Sequence, residues 1–192
     1  MPISIENKKI NKMLRDVFKD NPKYARYADE KEKSIINVLS CSNSPWEGVT
    51  SFGTLGLSDH STGKQVDGIP LGVELVGACY SEFDFFPNIL ATCSFNIINS
   101  SFKCEPGSIY LNVVEMYVES PVKHILFLAP SIWDKKFETL YFQPQKIVAW
   151  LQIVPISDKE LDYSKANGTE ALENLFAREQ MDIFDLSRKS VL

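Results

Sequence analysis

Apolar and polar positions along this chain recur with two periods, one near 3.6 and one of 2, and the switches between them divide it into elements. In NKKINKMLRDVFKD, Ile10, Met13, Leu14 and Val17 share one helical face, with lysines and aspartates opposite. Asn21-Pro22 ends that helix, because proline drives the residue before it out of the α region. SIINVLSC is short and β-branched, a strand, and SNSPWEG is turn chemistry. TSFGTLGLSDH alternates as a strand with Phe52, Leu55 and Leu57 as its apolar content, and STGKQVDG reads as a loop. IPLGVELVGACY is the next strand, carrying Val73, Leu75 and Ala78. In DFFPNILATCSFNIINS, Pro87 suits a first helical turn, and Phe86, Ile89, Leu90, Cys93 and Ile97 form one stripe, so a second helix is predicted. EPG turns the chain into SIYLNVVEMYV, whose β-branched and aromatic content predicts a strand. HILFLAP predicts an interior strand, and FETLYFQP a short edge strand ending at Pro144.

KIVAWLQIVPI is apolar on both faces: Ile147, Ala149, Leu151 and Ile153 on one, Val148, Trp150 and Val154 on the other. Such a strand belongs in the middle of a covered sheet. Ser157 and Glu160 then have capping-box spacing for a following helix, and Asn167-Gly168 suits its C-terminal cap. Thr169 restarts a helix that buries Leu172, Leu175 and Phe176. Helix, strands, helix, strands, helices is the order of an α+β fold, and 192 residues fit one domain, 1–192, with a mixed β-sheet covered by helices.

Composition narrows the function. With 44% hydrophobic and 23% charged residues the chain is ordinary for a globular protein and large enough to bury a core without metals or disulfides. A net charge of -5 argues against a general nucleic-acid binder, which needs a cationic face to displace counterions. That charge is uneven. Residues 1–33 are locally +3, whereas residues 157–185 carry three Lys/Arg against eight Asp/Glu. A charge run of this kind is ordinarily a solvated face, and the short basic helix face is read the same way rather than as a membrane anchor. Cys41, Cys79, Cys93 and Cys104 show neither Cys-x-x-Cys spacing nor finger-like spacing to His60 or His124. With no apolar signal core and no long apolar run, they read as reduced, mostly buried thiols of a cytoplasmic protein.

Candidate chemistry is sparse. Asp59, His60 and a neighbouring Ser58 or Ser61 invite a hydrolase reading, yet sequence neighbours in a strand or turn point apart and no Gly-x-Ser-x-Gly elbow occurs. His60 is read as a turn or strand-end residue, and His124 as a strand-edge residue. Gly53 and Gly56 lack phosphate-loop spacing and mark a bulge or close backbone packing. Glu74 sits within an apolar strand, where it must be paired or lie at the surface, and its pKa rises if buried. The remaining acids read as surface residues. No metal triad is visible, and the aromatic residues read as core, since base-stacking platforms come interleaved with Arg and Lys. A binding protein without catalytic residues, metal or cofactor is the expectation.

WLQIVPIS, DKELDYSKANGTEALENLF and the C-terminal DIFDLSRKS, with GVTSFGTLGLSDH, GVELVGAC and HILFLAPSIWD before them, resemble successive blocks of the suppressor-of-fused domain family across nearly the whole chain. The likeness is greatest to bacterial antitoxins, the immunity partners of LXG polymorphic toxins. The resemblance implies a mixed α/β fold, a protein-binding role and no catalytic residues. The implied partner is a cognate toxin domain, often a nuclease and more a DNase than an RNase, neutralised by occlusion of its active site. The chain ends where the first domain of the animal proteins would, so their two-domain ligand clamp is not expected. A basic substrate groove would be met by acidic side chains, for which Glu105, Asp158, Asp162, Glu170 and Glu173 are the candidates. The alternative is a small-molecule hydrolase or transferase using Asp59, His60 and Glu74.

Overall fold

The computed structural model describes residues 4–19, 21–142 and 144–192; Asp20 and Gln143, which fall within two of the expected elements, lie outside the described residues. Helix α1 (Ile5–Phe18) is capped by Ser4, whose hydroxyl oxygen accepts from the Asn7 amide at 3.0 Å. Strands β1 (Lys23–Ala28), β2 (Ile35–Ser42) and β3 (Val49–Leu55) follow. A 3-10 turn at Leu57–Asp59 leads through β4 (Gln65–Val66) into β5 (Ile69–Tyr80) and α2 (Phe86–Ser100). Then come β6 (Ile109–Tyr110), β7 (Val122–Leu128), β8 (Leu140–Phe142) and β9 (Lys146–Ser157), and the helices α3 (Asp158–Asn167) and α4 (Thr169–Arg178).

The strands form one mixed sheet in the order β1-β2-β3-β5-β9-β7-β6, with β4 paired to β5 and β8 to β9. Among the described strands only β5 and β9 run parallel. Both lie centrally and are covered on both faces, as their two-faced apolar patterns require. Leu151 and Ile153 of β9, with Val73 and Leu75 of β5, pack against the α2 stripe Phe86, Ile89, Leu90, Cys93 and Ile97. On the other face Val148 and Trp150 join Ile10, Leu14 and Val17 of α1. Val154 and Ile156 of β9 join Leu161, Leu172, Leu175 and Phe176 of α3 and α4. The α+β fold is therefore a sheet with helices on each side.

Gly53 lets α1 approach: a Cβ there would fall 2.3 Å from Leu14 Cδ2. Close packing is thus what this glycine serves.

Four local expectations change. The strand expected through TSFGTLGLSDH stops at Leu55, because Gly56 takes φ 104° and Leu57 enters the 3-10 turn. SIYLNVVEMYV is a strand only at Ile109–Tyr110 and continues as turns. Asn112 has φ 57°, which breaks the extended run, and Val113 and Val114 turn down into the α2-side core, so their β-branched bulk serves packing rather than a ladder. STGKQVDG contains β4, because Asp67 (φ 51°) and Gly68 (φ 80°) close a two-residue hairpin onto β5. KYARYA forms β1, a strand that periodicity does not signal because it is exposed on both faces apart from half-buried Tyr27.

Candidate functional site

The acidic segment is fixed to the sheet without a linker. Ser157 is both the last residue of β9 and the N-cap of α3. Its hydroxyl oxygen accepts from the Glu160 amide at 3.3 Å, and the Glu160 carboxylate accepts from the Ser157 amide at 2.9 Å, so the expected capping box is present. Glu160, however, is not a surface acid. It is fully buried and takes both prongs of the Arg188 guanidinium, at 2.6 and 2.8 Å. Arg188 also donates to the Pro155 carbonyl at 2.9 Å, and the Val191 amide donates to Glu160 at 3.1 Å. Burial by itself would raise the Glu160 carboxyl, but the guanidinium and the two amides reverse that and hold it below the usual carboxylate range. The C-terminal residues are thereby locked onto the first turn of α3.

The five candidate acids differ in how free they are. Glu170 and Glu173 lie one helical turn apart on α4, both exposed; partial burial and then the neighbouring Glu170 raise the Glu173 carboxyl. Asp162 is exposed on α3, with Lys165 at 3.7 Å. Asp158 is partly neutralised, because Lys123 of β7 lies 2.9 Å from one oxygen and His124 Nε2 donates to the other at 2.9 Å. These partners, Lys123 first, hold the Asp158 carboxyl down. Glu105 is paired with both Lys103 and Lys64, which lower its carboxyl. Its turn does reach α4, since a Cβ at Gly107 would lie 3.2 Å from Thr169 Oγ1. Asp162, Glu170 and Glu173 are thus the candidates left least compensated, while Glu105 is paired with neighbouring Lys103 and with Lys64, and Asp158 with Lys123 of β7.

His124 corrects an expectation. It is buried within β7 rather than at a strand edge; its Nδ1 accepts from the Asn112 amide at 3.0 Å, which leaves the proton on Nε2 for Asp158.

Among the described residues no hydrogen bond joins Asp59, His60 and Glu74 to one another. Glu74 of β5 is fully buried against β3 and the turn that follows it, and its carboxylate accepts from Thr54 Oγ1 at 2.5 Å and from the amides of Gly56 and Ser58 at 3.1 and 3.0 Å. Burial raises its pKa, as expected for a carboxyl in that strand, and these donors only partly offset the shift. Asp59 is held by Lys146 at 2.7 Å and Asn7 at 2.8 Å. His60 caps the end of the 3-10 turn, as a turn residue should. All four cysteines are buried, and burial pushes the Cys79 and Cys93 thiols far above their ordinary value. Among the described residues no cluster of three His, Cys, Asp or Glu could hold a metal ion.

A profile of the family described as "Suppressor of fused protein (SUFU)" matches residues 32–189. The chain is 45% identical over 193 residues, covering all of both proteins, to "Immunity protein YqcF" of Bacillus subtilis (strain 168). Among solved structures, a SUFU homologue from Neisseria gonorrhoeae FA 1090 superposes with a TM-score of 0.72 at 17% identity, covering 97% of this chain and 96% of that one. A chain of the Sufu–Fu complex gives a TM-score of 0.70 at 14% identity, covering 96% and 91%. Drosophila Suppressor of Fused gives 0.67 at 14%, covering 99% of this chain and 54% of that protein.

Proposed function

The chain belongs to the suppressor-of-fused family, and from that premise we propose that it is an immunity protein: it binds a toxin and neutralises it by contact, not by turnover. The observation that carries this reading is the 45% identity to Immunity protein YqcF along the full length of both chains. The partner in this reading is the toxic domain of a cognate LXG-type toxin, a nuclease and more a DNase than an RNase, met in the cytoplasm. Among the described residues no helix is long and apolar enough to cross a membrane. Asp162, Glu170 and Glu173, with Asp158 and Glu105 at the margins, would enter a cationic substrate groove in place of nucleic-acid phosphates. Charge complementarity of this kind raises association rates above the ~10⁵–10⁶ M⁻¹s⁻¹ of neutral partners, which favours capture of the toxin before it acts.

A hydrolase or transferase built on Asp59, His60 and Glu74 has less support, since the Glu74 carboxylate is enclosed and engaged by backbone amides and Thr54. The deciding experiment mixes the purified protein with the toxic domain encoded beside it, following complex formation by gel filtration and nuclease activity by substrate cleavage. A stable complex with lost cleavage is expected. Full cleavage in the presence of excess protein overturns the reading. Reversing Asp162, Glu170 and Glu173 to lysine should then slow association while leaving thermal stability nearly unchanged. Unaltered association in that variant moves the contact to another face.

A further inference from the structure

We propose that the cationic groove along α1, together with the free edge of β1 that Tyr24 ties to this helix, is a second docking surface, which takes an extended acidic segment of a protein partner by adding it as a strand to β1. The site goes beyond the immunity reading and does not depend on it, because it stands at the opposite edge of the sheet from α3 and α4.

Lys8, Lys12 and Arg15 follow one another at intervals of four and three residues, which places them along one stripe of α1, and Lys19, the left-handed C-cap of that helix, lines the same groove. With Asn11 and Asn21 they line a groove of about 630 Å³. The Tyr24 hydroxyl donates to Asn11 Oδ1 at 2.8 Å, so β1 is tied to the helix at Asn11, a residue of the groove wall. Strand alternation places Arg26 on the same side as Tyr24, while Tyr27 packs on the α2-side core. The charges are largely uncompensated. Asp16 in the groove is engaged by Lys135 at 3.6 Å, and Lys19 by Asp134 at 3.1 Å. Among the described residues no ion pair joins Lys8, Lys12, Arg15, Lys23 or Arg26 to a carboxylate. In a protein of net charge -5, this cluster of cations calls for an anionic complement.

The edge supplies the rest of the site. Among the described strands β1 ends the sheet and pairs along its whole length with β2 only, in unbroken register from Lys23↔Ser40 to Ala28↔Ile35. Pro22 stands before it, not within it. Its outer peptide groups are therefore open to another strand, the usual mode of β-augmentation. Lys23 and Arg26 disfavour a second copy of this same cationic edge and favour an acidic strand. A row of peptide N–H and C=O groups matches a polypeptide better than a phosphate backbone, which separates this site from a simple polyanion patch.

The probe is a fluorescein-labelled octapeptide of alternating glutamate and valine, titrated with the full-length protein by fluorescence anisotropy. Saturable binding that weakens with salt is expected, with none for the lysine–valine counterpart. Binding should fall by at least about tenfold in the triple variant Lys12→Glu, Arg15→Glu, Arg26→Glu, whose changes lie on exposed side chains and should leave thermal melting unchanged. The same peptide N-methylated at every amide keeps its charge but cannot form a ladder, and should lose binding equally. Undiminished binding in the triple variant, or by the methylated peptide, overturns the proposal. Tighter binding of an oligothymidylate of equal charge does so too, as does a concentration-dependent dimer in sedimentation that Arg26→Glu dissolves.

Discussion

Arg188→Met isolates the clamp between the C-terminal residues and α3. In the native protein the two prongs of Arg188 meet Glu160 at 2.6 and 2.8 Å, with the side chains 7% and 0% exposed. Methionine matches the length of the stem but leaves the Glu160 carboxylate buried with only the amides of Ser157 and Val191. Removing one partner of a buried ion pair costs about 3–5 kcal/mol, because the remaining charge has neither water nor a counter-ion. For a chain of this size that is a fall in Tm of roughly 6–20 °C. Urea unfolding followed by tryptophan fluorescence suits the measurement, since Trp133 and Trp150 are both buried.

The pH dependence sharpens the test. In the native protein burial would raise Glu160, and Arg188 reverses this to leave it lowered. Its contribution to stability is therefore present above the unfolded glutamate value of about 4.3 and is lost as pH falls through the folded value. In Arg188→Met burial dominates and Glu160 moves above that value, so its contribution is present at low pH and lost as pH rises. The stability gap between the two proteins should thus narrow as pH drops from about 7 to about 4. A gap independent of pH, or a cost under about 1 kcal/mol at neutral pH, would refute the account of the clamp.

Trp150→Ala should cost about 3–5 kcal/mol, since the indole is buried in β9 and its Nε1 donates to the Glu138 carbonyl at 3.0 Å; a melting curve unchanged within error would place the strand at the surface. Gly72→Ala would put a Cβ 2.8 Å from the Ser58 carbonyl oxygen, and a loss of about 1–3 kcal/mol in urea unfolding is expected from backbone displacement. Neutral behaviour would mean that the Ser58 turn yields easily. His60→Ala should change stability by no more than about 0.5 kcal/mol and leave toxin protection intact, as measured by survival of cells expressing the toxin. Loss of protection in a folded His60→Ala protein would reopen a catalytic or contact role for that turn.

How much of this was legible in the sequence depends on the range of the interactions involved. The junction of β9 and α3 was readable because its capping box spans three residues and its strand is apolar on both faces. The α2 stripe was readable for the same reason: its period and the proline in its first turn are local. β1 was not, since an edge strand exposed on both faces has no apolar alternation to detect. Nor was the environment of Glu160, which is set by an arginine 28 positions later. The candidate surface shows the same division. The acidity of residues 157–185 is a count, but that Asp158 and the outlying candidate Glu105 are compensated depends on Lys123 and Lys64, brought in by other elements. His124 likewise looked like an edge residue until Asp158 and the Asn112 turn closed over it.

The parallel pairing of β5 and β9 has a consequence for how the chain emerges from the ribosome. β5 ends at Tyr80 and its neighbour begins at Lys146, so at roughly 5–20 residues per second one edge of an apolar strand waits several seconds for its partner. Unpaired apolar strands are prime sites of aggregation during such intervals. Glu74 interrupts this one at its centre, and its acceptors are met by Thr54, Gly56 and Ser58, all of which are synthesised before it. The carboxylate can thus keep the nascent strand hydrated and then be enclosed by β3 and its turn without waiting for β9. Its expected role is that of a gatekeeper, and Glu74→Leu should increase aggregation on rapid dilution from urea at matched stability. Equal recovery of soluble protein from both would leave Glu74 as a packing residue alone.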